Sequence, residues 1–180
     1  MFPKSIYLKL LLMVFFSLLL VSCTQQQSPS DESIDFNSLV FQEGDLPAGY
    51  SLAQTREKGL ASIWVEKEVE RKYSRQFNLN GEDGGMLSIY IFPTEEIAHE
   101  MYMQIIETDF YSAHPIYQPV INLGDESLGG FIGTVLDESV VIFRNCKAIV
   151  YVKFASSRDY TGLIEYSRKI DSRLSQFSCD

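Results

Sequence analysis

An α+β fold, an antiparallel sheet of about five to six strands with two amphipathic helices packed on it, is what this sequence predicts. Three observations lead there. Phe131–Leu136, Ser139–Arg144 and Ala148–Phe154 are β-rich runs separated by short polar breaks, the spacing of a meander. Upstream, an alternating run and an apolar run flank the turn-rich Asn80–Gly85. Two further stretches repeat their apolar residues with helical period.

Taken in order, Leu46-Pro47-Ala48-Gly49-Tyr50 is a turn signature and Ile63–Val69 is an ambiguous first strand. Tyr73, Arg75, Phe77 and Leu79 alternate with polar residues, as in a half-buried strand. Met86–Phe92 follows as a more buried strand, with Leu87, Ile89 and Ile91 on one face and Met86, Ser88, Tyr90 and Phe92 on the other. Pro93 ends it. Thr94 can cap the next helix, whose positive end carries Glu95 and Glu96. Its stripe is Ile97, Met101 and Ile105 with Ala98 and Tyr102, and it ends near Phe110, before Ala113-His114-Pro115. After Pro119 comes a loop or short strand, then the meander. The last helix starts near Asp159, with Leu163, Ser167, Ile170, Leu174 and Phe177 on one stripe.

The amino terminus is organised differently. Lys4 and Lys9 make a positive start, and Leu10–Val21 is almost wholly apolar. Such a helix is about 18 Å long, too short for a hydrocarbon core of about 30 Å, and suits the apolar part of a signal peptide. The run closes on Leu20-Val21-Ser22-Cys23. This resembles the bacterial lipobox: a branched apolar residue, a tolerant position, a small residue, then cysteine. The resemblance covers the first 23 residues. It implies cleavage before Cys23, lipid on its thiol and a permanent anchor, since several acyl chains are buried. It further implies an extracytoplasmic location in a cell envelope. Thr24 stands where the family's inner-membrane retention signal has Asp, so the resemblance points to the outer membrane if the host has one. The expected organisation is a signal peptide over 1–22, a lipidated cysteine and polar tether over 23–35, and a single domain over 36–180.

The order of elements between about residues 46 and 175 resembles the PsbP-like group of extracytoplasmic domains. The resembling features are Leu46–Tyr50, Leu123-Gly124-Asp125-Glu126, and Val140-Val141-Ile142-Phe143-Arg144 followed by a further strand. Members mostly act as assembly or binding modules, which here is a fold analogy.

Charge and motifs narrow the function classes. Lys4 and Lys9 are the only charged residues before Cys23, so the remainder carries 13 basic and 24 acidic residues, net −11. That balance repels phosphate and argues against nucleic acid and against anionic headgroups as partners. No dinucleotide, P-loop or nucleophile-elbow motif occurs. Of two histidines, His99 with Glu96 forms half of a di-iron pattern that lacks its second half. Glu95, Glu96, His99 and Glu100 therefore read as a solvated face, and His114 as a loop residue. Asn78, Asn80, Glu82 and Gly84 echo a calcium loop but place Ile89 where Glu is required. No catalytic residue, metal or cofactor is expected.

Three cysteines are present. With Cys23 lipidated, Cys146 and Cys179 are a candidate disulfide, worth about 3–4 kcal/mol for the loop it closes. Two separate thiols are equally compatible with the sequence. The expected function is a non-enzymatic binding or assembly module with an envelope protein as partner. A carrier of a small apolar ligand or lipid, and an envelope enzyme, are the alternatives. Candidate contact positions are the sheet face left uncovered by helices and the loops around Trp64, Leu123, Asp125 and Glu126, up to Gly130.

Overall fold

The computed structural model describes residues 44–53, 69–110, 117–132, 138–155, 160–176 and 179. The lipobox and tether, Ile63–Glu68 with Trp64, His114, Gly133–Leu136 and Phe177 lie outside the described residues. All described residues belong to the compact unit Ile34–Asp180 and none to the other unit, Met1–Ser33.

Among the described residues, seven strands form one wholly antiparallel sheet, slightly more than the sequence indicates. They are β1 (Tyr50–Leu52), β2 (Arg71–Leu79), β3 (Glu82–Ile91), β4 (Tyr117–Pro119), β5 (Glu126–Ile132), β6 (Glu138–Asn145) and β7 (Ala148–Phe154). The order across the sheet is β1-β2-β3-β7-β6-β5-β4. Helix α1 (Glu95–Ile105) follows β3 and runs on into a π-helical turn, Ile106–Phe110; α2 (Tyr160–Leu174) follows β7. The two additional strands, β1 and β4, sit at the edges and have three residues each, too short for an alternating pattern.

Strand composition explains the layering. Val140, Val141, Ile142 and Phe143 are all fully buried, as are Ile149, Val150 and Val152. A strand buried on both faces reads as a continuous apolar run. Alternate residues accordingly enter two separate cores. Leu87, Ile89, Val141, Phe143, Val150, Val152 and Phe154 pack with Leu163, Tyr166, Ile170 and Leu174 of α2. Tyr90, Phe92, Val140, Ile142, Ile149 and Tyr151 pack with Ala98, Tyr102 and Ile105 of α1. The helices therefore lie on opposite faces. The expectation of a helix-free face as a contact surface is corrected here: both faces of β6 and β7 carry a helix.

Local chemistry sets the ends of the elements. Thr94 caps α1, its Oγ1 accepting the Ile97 N–H at 3.2 Å. The expected Asn80–Gly85 loop shrinks to Asn80-Gly81, because Leu79 pairs with Glu82. A bulge between Phe77 and Asn78 absorbs Gly84, where a Cβ would stand 2.6 Å from the Asn78 carbonyl carbon. Before β1 the segment Gly44–Gly49 lies on α2. Asp45 pairs with Arg173 at 2.7 Å, Leu46 joins the α2 core, and Pro47 lies over Gly162.

Candidate functional site

One end of the sheet gathers several charged side chains that bond across long sequence separations. β5 and β6 are paired so that Glu126 lies opposite Arg144. The Arg144 guanidinium donates to Glu126 Oε1 from Nε at 2.9 Å and from Nη2 at 2.8 Å. Its Nη1 reaches Asp125 Oδ2 at 3.0 Å and the Cys146 carbonyl at 2.9 Å. The Arg144 side chain is only 11 % exposed. A guanidinium that far from water is held by filling its donor set, which the planar fork allows.

Two helices add their own groups to this cluster. From α1, His99 Nδ1 meets Glu126 Oε1 at 2.7 Å. One carboxylate oxygen thus serves His99 and both Arg144 nitrogens. From α2, Asp171 accepts from the Asn145 side chain at 2.6 Å and from the Gly124 N–H at 3.0 Å. Asp125 adds a second tie: its Oδ2 accepts the Cys146 N–H at 2.8 Å, while its own N–H donates to the Arg144 carbonyl at 2.8 Å. Gly124 has φ 58, and a Cβ there would run into that same carbonyl, so the loop needs glycine at this point.

The cysteines complete the knot. Cys146 occupies the β6–β7 turn with φ 50, and Cys179 lies past α2. Their Cα atoms are 5.1 Å apart with the sulfurs at disulfide distance, within the range a disulfide spans. The sequence separation is 33.

The loop over Val120–Asp125 is pinned throughout. The Val120 carbonyl accepts from Ser127 Oγ at 2.8 Å and the Ile121 carbonyl from Arg168 at 3.1 Å. Within this fastened loop Ile121 is 76 % exposed, the most exposed of the large apolar side chains described. Of the contact residues expected from sequence, Asp125 and Glu126 are brought together through Arg144. Leu123 is not a surface residue: it is 2 % exposed, turned into the α2 core because the loop needs an apolar plug at the sheet end. Trp64 and Cys23 lie outside the described residues.

His99 lies on the solvated face that the sequence indicates, and from there it also bonds Glu126. The 27-residue separation leaves no local signal for that contact. Asp125 lies in the bend before β5, whereas Glu126 and Ser127 are the first residues of that strand, with Ser127 Oγ donating to the Val120 carbonyl. A carboxylate-held imidazole is two parts of a nucleophile-activating triad. Among the described residues, no hydroxyl or thiol is hydrogen-bonded to His99, and no group of three or more His, Cys, Asp or Glu could hold a metal ion. What the arrangement does chemically is fix geometry: α1, β5, β6 and α2 are cross-linked by ionic and polar bonds at one end. Compared with known proteins, the chain matches no family model, no curated protein and no solved structure.

Proposed function

We propose that this chain is a bacterial envelope lipoprotein that displays a non-enzymatic binding or assembly module on the extracytoplasmic side of a membrane. The observation that carries the address is the ordered series of Lys4 and Lys9, the Leu10–Val21 run and Leu20-Val21-Ser22-Cys23. Lipid on Cys23 provides the attachment, to an outer membrane where the host has one. The acidic surface leaves the anchor, rather than the domain face, as the membrane contact. In an oxidising envelope compartment the Cys146–Cys179 pair is a closed disulfide.

The module reading is supported by the cross-linked sheet end. Its ionic groups hold one another and so present a rigid platform, which lowers the ordering cost of association. The contact surface we assign is the fastened loop with Ile121 and Asp125, and the partner is an envelope protein. The PsbP-like order of elements agrees with this reading.

The test has two parts. Cys23→Ser should leave the precursor uncleaved and release the protein from membranes; normal processing with tight retention would refute the anchor. Crosslinking of the full-length protein in native membranes, with mass spectrometry, should give recurrent links from the Val120–Asp125 loop to one protein. Absence of any protein partner, with apolar mass retained on the purified chain, would replace the module by a ligand carrier.

A further inference from the structure

The β2–β3 turn carries a chemically reactive pair. Asn80 (φ 54) and Gly81 (φ 91) are its two central residues, and both are exposed. Nothing lies within 4 Å of where a Gly81 Cβ would stand. Asn-Gly with positive φ at both positions is the favoured two-residue hairpin turn. The same pair places a backbone nitrogen one five-membered ring away from a side-chain amide carbon, with no side chain on the following residue to obstruct it.

We propose that Asn80 is a site of spontaneous, succinimide-mediated deamidation, and that the modification loosens the edge strand β1. The Gly81 amide nitrogen loses its proton to hydroxide and attacks Asn80 Cγ. A nitrogen–carbon bond forms, and the side-chain nitrogen leaves as ammonia. Water then opens the ring. Cleavage at Cγ gives aspartate on the original backbone. Cleavage at the main-chain carbonyl gives isoaspartate, with the backbone routed through Cγ. One water enters, one ammonia leaves, and nothing is oxidised or reduced.

The neighbours decide the consequence. The Asn80 N–H donates to the Gly49 carbonyl at 3.0 Å, and Asn80 Oδ1 lies 3.3 Å from the position of a Gly49 Cβ. Gly49 leads directly into β1, whose Tyr50 pairs with Leu79 beside the turn. Aspartate tolerates the left-handed conformation and keeps the turn. Isoaspartate inserts a methylene into a connection whose length sets the Leu79–Glu82 register. The bond to Gly49 is then lost, and the three-residue β1 loses its first support. Asn78, Asn122 and Asn145 precede Leu, Leu and Cys, whose side chains obstruct the same attack. The turn must rotate before the ring can close, so the folded protein reacts more slowly than the denatured chain.

The experiment ages the full-length protein in mildly alkaline buffer, folded and in denaturant, with Asn80→Gln as the blocked control. Peptide mapping by mass spectrometry, with fragmentation that separates aspartate from isoaspartate, follows each asparagine. Conversion at Asn80 should run at least about tenfold ahead of Asn78, Asn122 and Asn145, a barrier lower by about 1.4 kcal/mol. Its rate should rise with hydroxide, and the isoaspartate fraction should exchange amide hydrogens faster at Tyr50–Leu52. Asn80 left intact in the folded protein while the denatured chain converts fully would overturn the proposal, as would earlier conversion at Asn78, Asn122 or Asn145. Isoaspartate at Asn80 with unchanged exchange in β1 would refute the structural consequence.

Discussion

Arg144 and Glu126 are register partners on adjacent strands, and the guanidinium closes on a single carboxylate oxygen through two nitrogens. His99 shares that oxygen from the far more exposed side of α1, with 52 % of its side chain in water. The same carboxylate thus anchors one nearly buried cation and one solvated imidazole. Their energetic weights should differ accordingly.

Arg144→Leu strands Glu126 and Asp125 without their shared donor and leaves the Cys146 carbonyl unsatisfied. Because Glu126 and Asp125 keep partial access to water, the expected loss is about 2–3 kcal/mol rather than the larger cost of a fully buried pair. Arg144→Lys should recover only part of it, since a point charge cannot reproduce the fork. His99→Ala should cost no more than about 1 kcal/mol, the range of exposed ion pairs. Urea midpoints at neutral pH check all three; equal costs for Arg144 and His99 would contradict the burial argument.

The link between Cys146 and Cys179 should constrain the unfolded chain. Closing a loop of 33 residues' separation predicts about 3–4 kcal/mol of stabilisation in the chain-entropy account. Cys179→Ser should therefore lower the urea midpoint by that equivalent, and reductant should do the same to the wild type but not to the variant. Thiol labelling of unfolded, unreduced protein should find neither cysteine reactive.

Much of this architecture was legible in the chain, and the limits have physical causes. Leu87, Ile89 and Ile91 against Met86, Ser88 and Tyr90 announce a strand because each residue alternates faces. Thr94 announces its helix because a capping oxygen must accept a free N–H. Burial on both faces of the Val140–Phe143 run was missed, because the expected fold left one sheet face without a helix. β1 and β4 were illegible because three residues carry no period. The charged cluster was legible only in fragments: Asp125 and Glu126 stood out as contact candidates, while their partners His99 and Arg144, and Asp171, which holds Gly124 and Asn145, sit on other elements. Tyr166 escaped the α2 stripe, although it is fully buried with Phe77 and Phe154 rings 5.8 and 6.0 Å away.

Tyr166 gives the protein an alkaline limit. Burial, and then the negative charge of Asp45, raise its phenol above the ordinary value of 10.0. Burial likewise raises Tyr117. The folded state thus keeps a proton that the unfolded chain releases above pH of about 10. Stability from these groups is fully present below that pH and is lost as pH rises toward the folded values. The slope should approach about 1.4 kcal/mol per pH unit for each fully shifted tyrosine, and less for half-buried Tyr117. Tyr166→Phe should flatten the slope above pH of about 10. Tyr166→Ala should cost about 3–5 kcal/mol at neutral pH by removing the ring that packs against both Phe77 and Phe154.

Gly124 and Gly81 allow strain and collision to be separated. Both hold positive φ, 58 and 91, yet their surroundings differ. Around Gly81 there is open space, so Gly81→Ala meets only the backbone penalty of an L residue, about 1 kcal/mol. At Gly124 a Cβ would collide with the Arg144 carbonyl, the acceptor of the Asp125 N–H. Relieving that clash must pull Asp125 away from Cys146 and Arg144 and slacken the Gly124 bond to Asp171. Gly124→Ala should therefore cost about 2–4 kcal/mol, the strain penalty plus broken charge-assisted bonds. Its effect should be less than additive with Arg144→Leu, because both changes dismantle the same contacts. A double-mutant cycle reads this directly: additive losses would mean that the loop and Arg144 act independently, and that the cluster is not one mechanical unit.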